Sequence, residues 1–132
     1  MDTSSTITST TGDVTFSAPV DEGGAAGTHT LTAVADSGTV TFSGGAGSTT
    51  QLGGLTVTAD TLVLAAGNFY TDSAGGGTAN VDFSNVDTVT LTGDVTIDTE
   101  NGDDSAAGDV LFKPTGTING TTASTEYLAL GI

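Results

Sequence analysis

Gly12-Asp13-Val14-Thr15-Phe16-Ser17 is repeated three more times with small changes, as Gly38-Thr39-Val40-Thr41-Phe42-Ser43, Gly93-Asp94-Val95-Thr96-Ile97 and Gly108-Asp109-Val110-Leu111-Phe112. The step from the first copy to the second is 26 (38 − 12), and the step from the first to the third is 81 (93 − 12), which is three times 27. A degenerate copy near Gly67-Asn68-Phe69 lies in the gap between them. A regular period of about 20 to 50 residues is typical of proteins built from stacked structural repeats.

Each copy alternates apolar and polar residues, and so do several segments between the copies. Alternation with a period of two residues, rich in valine and threonine, is typical of half-buried β-strands. Glycine pairs that favour turns separate these segments, as at Gly23-Gly24, Gly44-Gly45 and Gly53-Gly54. No window carries the apolar spacing of an amphipathic helix over three turns. The sequence therefore predicts an all-β protein.

The repeat favours a parallel β-helix, or β-solenoid, of about five coils that occupies residues 1–132 as a single segment. One unit cannot bury its apolar face alone, whereas stacked units place similar side chains in inward-facing columns. The expected columns are Val14, Val40 and Val95, and Phe16, Phe42 and Ile97. Leu31-Thr32 and Val57-Thr58 are also separated by a step of 26, so we expect them to be neighbours in adjacent coils. A β-sandwich is the alternative, because about eight or nine short strands also fit that class.

Composition excludes several classes of function. The chain has 132 residues with one Lys, no Arg, no Cys and 16 acidic side chains, and its formal net charge is −15. Without a cationic surface to neutralise phosphates, we expect no nucleic-acid partner. No apolar run approaches the ~20 residues of a membrane-spanning helix. Because Met1-Asp2-Thr3 is followed by neither a basic nor an apolar run, we expect no signal peptide. The lack of cysteine removes disulfides and thiolate chemistry.

Catalytic groups are also scarce. His29 is the only imidazole, and Lys113, expected to face solvent, is the only side-chain amine. The chain has no G-x-S-x-G elbow and no P-loop. Its five Phe and two Tyr offer few aromatic platforms for sugars. We therefore expect a protein that is not an enzyme.

Three runs resemble the repeats of the filamentous haemagglutinin-type exoproteins: Thr11-Gly12-Asp13-Val14-Thr15-Phe16, Gly54-Leu55-Thr56-Val57-Thr58-Ala59 and Asp87-Thr88-Val89-Thr90-Leu91-Thr92-Gly93. Those proteins are large bacterial surface adhesins exported by two-partner secretion, with right-handed β-helical rods. The resemblance extends from about Thr11 to Asn119. It implies a non-catalytic structural segment of an extracellular or cell-surface adhesin or matrix fibre. The segment would be a slice of a larger protein or a fibre subunit.

The last residues, Tyr127-Leu128-Ala129-Leu130-Gly131-Ile132, are apolar and carry no polar cap. Solenoids need capped ends for solubility, and bare strand edges pair with other chains. The sequence therefore predicts contact with neighbouring repeats or self-association into a filament. No motif identifies a receptor.

A metal site is predicted where acidic residues are densest, in Asp98-Thr99-Glu100-Asn101-Gly102-Asp103-Asp104. Calcium takes about six to eight oxygen ligands, which a short acidic turn can supply. The candidate ligands are Asp98, Glu100, Asn101, Asp103 and Asp104. A solvated acidic turn without metal is the alternative, and the pairs Asp82/Asp87 and Asp21/Glu22 are further candidates for calcium.

Threonine pairs on alternate residues raise the hypothesis of a flat, ice-binding face. Thr30-Leu31-Thr32 and Thr56-Val57-Thr58 lie one repeat apart, but Asp82-Phe83-Ser84 is expected to interrupt that array. On the other strand, Asp13-Val14-Thr15 and Asp94-Val95-Thr96 are expected to interrupt the array that contains Thr39-Val40-Thr41. Ordinary outward-facing threonine on β-strands is the simpler interpretation.

Overall fold

The structure, a computed structural model, describes residues 1–74, 78–101, 107–122 and 125–131. These residues form ten β-strands and no helix. The strands are β1 (Ser5–Thr8), β2 (Val14–Phe16), β3 (Thr30–Phe42), β4 (Gly54–Leu64), β5 (Gly67–Tyr70), β6 (Val81–Leu91), β7 (Val95–Asp98), β8 (Val110–Phe112), β9 (Thr117–Gly120) and β10 (Leu128–Gly131). In this part of the chain, no helix is long and apolar enough to cross a membrane.

Parallel pairing joins the strands into two sheets. The larger sheet has the order β1-β3-β4-β6-β8, with β2 also paired to β3 and β9 also paired to β6. The smaller sheet has the order β5-β7-β10. Strands β3, β4 and β6 are 13, 11 and 11 residues long, and each lies where the first and last coils have two short strands. The chain is therefore a β-solenoid of about four turns, which confirms the parallel β-helix and excludes the β-sandwich.

Inward-facing columns of apolar side chains run along the axis and form one continuous core. In one column, Leu31, Leu55 and Val81 are register partners and are at most 1% exposed. The alternation of buried and partly exposed residues in β4 and β6 follows from the strand geometry, which points successive side chains to opposite faces. The core therefore lies between the strands of each coil and is covered above and below by the neighbouring coils.

The predicted columns are correct for the first two copies of the repeat and wrong for the third. Val14 pairs with Val40 and Phe16 pairs with Phe42, as expected. Val95 and Ile97 lie instead in β7 of the smaller sheet, where Ile97 pairs with Phe69. The places expected for them are taken by Val89 and Leu91 of β6. The third copy begins a strand on a different side of the coil, and the degenerate copy at Gly67-Asn68-Phe69 shares that side.

Coil length also differs from the strict period. Leu31 pairs with Leu55, which is a step of 24 (55 − 31) and not the step of 26 that would place Val57 opposite Leu31. The register shifts between Ala35 and Thr39, where Asp36-Ser37-Gly38 in β3 lies opposite the single residue Asp60 in β4. Two extra residues in a β-bulge therefore separate the two halves of β3 without breaking the ladder.

Candidate functional site

The structure describes three of the five predicted calcium ligands. Asp98 ends β7, and its Oδ1 accepts a hydrogen bond from the backbone N–H of Glu100 at 3.1 Å. The backbone oxygen of Asn101 accepts from Gln51 Nε2 at 3.3 Å. Asp103 and Asp104 lie outside the described residues. Among the residues that are described, no three acidic or imidazole groups come together as metal ligands. Calcium at this turn stays a prediction.

The two other acidic pairs are engaged within the chain. Asp82 Oδ1 accepts from the backbone N–H of Ser84 at 2.8 Å, and Asp87 forms an ion pair with Lys113. Asp21 Oδ1 accepts from the backbone N–H of Thr49 at 2.8 Å. Each of these carboxylates, which the sequence suggested as a calcium ligand, has a hydrogen-bond or ion-pair partner within the chain.

A repeated contact joins successive coils at the strand starts. A polar side chain just before one strand accepts a hydrogen bond from the backbone N–H of its register partner in the next coil. The four bonds run from Thr30 N to Ser4 Oγ (3.0 Å), Thr39 N to Asp13 Oδ1 (2.8 Å), Asp109 N to Asn80 Oδ1 (2.8 Å) and Tyr127 N to Asp94 Oδ1 (3.3 Å). All four have the acceptor in the earlier coil and the donor in the later coil. We call these four bonds the inter-coil caps. Because they all point the same way, the two ends of the rod differ in the hydrogen-bonding groups that they present.

In the later copies of the Gly-Asp-Val motif, the glycine is explained by the close approach of the preceding coil, whereas a Cβ at Gly12 in the first coil would meet only Ser9 Oγ, at 3.5 Å. A Cβ at Gly93 would lie 2.1 Å from the carbonyl oxygen of Ala65, and a Cβ at Gly108 would lie 2.4 Å from that of Ala79. Real Cβ atoms do not come this close to backbone oxygen, so only glycine fits. In Gly93-Asp94-Val95 the glycine thus permits the approach, the aspartate caps the next coil and the valine enters the core.

Glu22 is a buried carboxylate at a corner where three segments meet. Its side chain is fully buried, and it accepts hydrogen bonds from the backbone N–H groups of His29 (2.5 Å), Gly53 (3.2 Å) and Thr28 (3.3 Å). The Thr28 hydroxyl donates to it at 2.8 Å. One carboxylate therefore satisfies donors from two successive coils, and buried charge is tolerated when it is hydrogen-bonded in this way.

These hydrogen bonds decide the ionisation of Glu22. Burial acts to raise the pKa of the carboxyl group, but the hydrogen bonds from His29, Thr28 and Gly53 favour the charged form and together outweigh burial. The pKa of Glu22 is consequently held below its ordinary value. The carboxylate is charged at neutral pH and acts as a fixed acceptor.

Glu22, Thr28 and His29 have the residue types of a hydrolytic triad but not its arrangement. The Thr28 hydroxyl contacts Glu22, the carbonyl oxygen of Ala25 at 2.8 Å and His29 Nδ1 at 2.9 Å. A triad needs the carboxylate to orient the imidazole and the imidazole to activate the hydroxyl. Here the carboxylate accepts from the hydroxyl and from three backbone N–H groups, and one ring nitrogen, His29 Nδ1, faces both the hydroxyl (2.9 Å) and Glu22 Oε2 (3.5 Å). The group is best described as a structural clamp between coils.

The threonine columns follow the observed register. Thr6, Thr32 and Thr56 are partners in consecutive coils, and Asp82 interrupts that column as expected. On the other ladder, Asp13 lies opposite Thr39 and interrupts the array in the first coil, as expected. The expected interruption by Asp94 is wrong, because Asp94 precedes a strand of the smaller sheet. A continuous column is present there, made of Thr39, Thr61, Thr88 and Thr117. The column beside it, Thr41, Val63, Thr90 and Asn119, is interrupted by Val63 and Asn119.

Both ends of the solenoid expose apolar side chains. The exposed large hydrophobic residues of the described chain are Ile7 (39%), Leu111 (38%), Ile118 (47%), Tyr127 (55%) and Leu130 (52%), and all lie in the first or last coil. Ile7, Ile118 and Leu130 pair with Ala33, Val89 and Ile97, which are buried. They belong to inward-facing columns and are exposed because the column stops there. A cavity of about 70 Å³ opens beside Ile118, lined also by Val86, Val89 and Phe112.

The acidic residues are evident in the sequence, but their role as hydrogen-bond acceptors between coils was not predicted. Asp13 and Asp94 both stand in the Gly-Asp-Val motif, one residue before a valine of the core. The repeated placement of aspartate just before a core valine was the feature of the sequence from which the inter-coil caps could have been predicted. Glu22 carried no such signal, because its partners lie 6, 7 and 31 residues away in the chain.

Comparison with known proteins adds no assignment, since no family model, curated protein or solved structure matches the chain.

Proposed function

We propose that this chain is a non-catalytic structural segment, a length of β-helical rod in an extracellular or cell-surface adhesin or matrix fibre. The observation that carries the proposal is the continuous core, which extends along the axis through the described residues to the first and last coils, where Ile7, Ile118 and Leu130 are exposed. A solenoid built in this way lengthens by adding coils, at ~4.8 Å for each. Such an architecture suits a spacer that holds a binding surface away from a cell.

The use of the polar groups supports the same function. Asp13, Asp94 and Glu22 hold coils together and are not directed into a cleft. The resemblance to filamentous haemagglutinin-type repeats points to the same role. A net charge of −15 keeps such a surface soluble by mutual repulsion, as suits a protein outside the cell.

Immunogold electron microscopy of intact cells that produce the protein tests this function. Antibodies raised against the purified chain should label the cell surface or surrounding fibres without permeabilisation. An antibody against a cytoplasmic protein serves as the matched control. Label that appears only after permeabilisation would contradict the proposal.

Calcium at the Asp98 turn is a separate part of the proposal. Bound calcium would offset the repulsion between clustered carboxylates and stabilise the folded chain. A chelator should then lower the midpoint of thermal unfolding, and Asp98→Asn should remove most of that shift. A midpoint that the chelator does not change would contradict the calcium site and leave the rod unaffected.

A further inference from the structure

We propose that copies of this chain associate head to tail, with the last coil of one copy (β8, β9 and β10) stacked on the first coil of the next (β1 and β2). The partner is thus a second copy of the same chain, and the interface continues the parallel ladders. This inference deepens the proposed function and rests on its rod architecture.

The inward-facing columns are matched across such a joint. The column Val14, Val40, Leu62, Val89 and Ile118 would continue from Ile118 to Val14 of the next copy. The column that begins with Phe16 ends at Gly120, so the joint places the largest side chain over the smallest. Within the chain, Phe16 already stacks on Phe42 with ring centroids 4.6 Å apart. Stacking would cover Ile118, which is 47% exposed, with apolar surface.

The inter-coil caps supply a polar contact with the same direction. Ser5, Leu31, Leu55, Val81 and Val110 form one register column, so Asp109 holds in the last coil the place that Ser4 holds in the first. Ser4 accepts from the backbone N–H of the next coil, and so does Asn80 at the same place. By the same geometry, Asp109 would accept from the backbone N–H of Ser4 in the next copy. Two like ends placed together would not reproduce this contact.

Charge modulates the association. The only side-chain cation, Lys113, follows β8 in the last coil and is already paired with Asp87, and Asp13 precedes β2 in the first coil. Both residues lie between the two halves of the larger sheet, so the joint brings opposite charges to one side of the rod. The net charge of −15 on each copy opposes contact at low ionic strength. Added salt screens that repulsion, and association should therefore strengthen with salt.

Sedimentation velocity of the intact chain tests the association, from about 1 µM to about 1 mM and in salt up to about 0.5 M. We expect oligomers that grow with concentration and salt, and single-file rods by negative-stain electron microscopy. Ile118→Asp should raise the dissociation constant by at least about tenfold, because it places a carboxylate in an apolar joint. Asn119→Asp is the matched control, since it adds the same charge on the neighbouring, outward-facing residue of β9. Circular dichroism and the unfolding midpoint establish that both variants are folded.

Mixing two blocked variants tests the direction. Ile118→Asp blocks the last coil and Ile7→Asp blocks the first, so each variant alone should be monomeric at the lowest concentration at which the wild-type chain associates. Their mixture should form a dimer and nothing longer, because one free first coil meets one free last coil. Monomeric wild-type chain throughout this range would overturn the proposal, and so would equal weakening by Ile118→Asp and Asn119→Asp. Dimers of either blocked variant alone would overturn the head-to-tail arrangement. None of these results bears on surface labelling, which tests the proposed function separately.

Discussion

Strand β4 in the middle of the rod and strands β9 and β10 in its last coil have similar apolar residues on their inward faces, yet their burial differs greatly. Leu62 and Leu64 of β4 are 0% exposed. Ile118 of β9 and Leu130 of β10 are 47% and 52% exposed, although both belong to inward-facing columns. The difference is the number of neighbouring coils, which is two for β4 and one for the last strands. In this architecture, the burial of an inward-facing side chain depends on whether a coil lies on each side of it, and not on the strand to which it belongs.

Truncation of one leucine in each region should show the largest contrast. Leu62→Ala leaves a cavity between two coils and should lower the free energy of unfolding by about 3 kcal/mol. Leu130→Ala removes a side chain that is half exposed and should cost less than about 1 kcal/mol. Urea denaturation at neutral pH measures both. Equal losses would show that Leu130 is buried in solution as fully as Leu62, as it would be if copies of the chain were stacked end to end. The two variants are then compared again at a protein concentration at which the chain is monomeric, where equal losses would contradict the difference in burial.

The contact between coils can be tested with glycine substitutions. Gly93→Ala would place a Cβ 2.1 Å from the carbonyl oxygen of Ala65, so the coils must separate locally. We expect a loss of about 2 kcal/mol in unfolding free energy. Gly24→Ala is the control, because no atom lies within 4 Å of the added Cβ and its effect should be within about 0.5 kcal/mol. Chemical denaturation of both variants distinguishes them, and a tolerated Gly93→Ala would contradict the tight stacking of these coils.

The contacts that Glu22 makes between coils can be tested by the pH dependence of stability. Glu22→Gln replaces an acceptor oxygen by an NH₂ group that faces backbone donors, and should cost about 1 to 2 kcal/mol at neutral pH. Because the pKa of Glu22 is lowered from its ordinary value of 4.5 in the folded chain, the stabilisation by the charged form is complete above pH 4.5. It is lost as the pH falls through the lower folded value. The difference in unfolding free energy between wild type and Glu22→Gln should therefore shrink in acid, and a difference that grows in acid would contradict the clamp.

The smallest effect is expected at an exposed inter-coil cap. Asp94→Ala removes the acceptor for the backbone N–H of Tyr127 and should cost roughly 0.5 to 1 kcal/mol. Asp60→Ala is the matched control, since Asp60 is an exposed carboxylate at the bulged corner, and its removal should have little effect. Hydrogen exchange at the Tyr127 amide should quicken in Asp94→Ala only. An unchanged exchange rate at the Tyr127 amide would contradict the hydrogen bond to Asp94.

The alternation of apolar residues was sufficient to predict strands, and the repeat of 26 residues was sufficient to predict parallel stacking and the pairing of Val14 with Val40. It was not sufficient to place Val95, because the Gly-Asp-Val motif marks the start of a strand at a corner and not the side of the coil on which that strand lies. The step from β3 to β4 is 24 at Leu31 (55 − 31), and the bulge at Asp36-Ser37-Gly38 shortens it to 22 at Thr39 (61 − 39), although each half of the strand keeps its alternation. Register therefore depends on corner geometry, which a period of two residues does not encode. The role of Glu22 was beyond prediction for the same reason, since its donors meet only after the coils stack.

Cross-linking between adjacent coils tests the stacking most directly, because the chain has no cysteine to interfere. Thr32 and Thr56 are register partners in β3 and β4, whereas a uniform step of 26 places Thr32 opposite Thr58. Register partners in adjacent strands lie within the reach of a disulfide, and residues two positions along lie beyond it. We expect Thr32→Cys/Thr56→Cys to oxidise readily to an intramolecular disulfide, and Thr32→Cys/Thr58→Cys to stay reduced under the same conditions. Preferential oxidation of the second pair would contradict the register on which the columns, the caps and the joint between copies all depend.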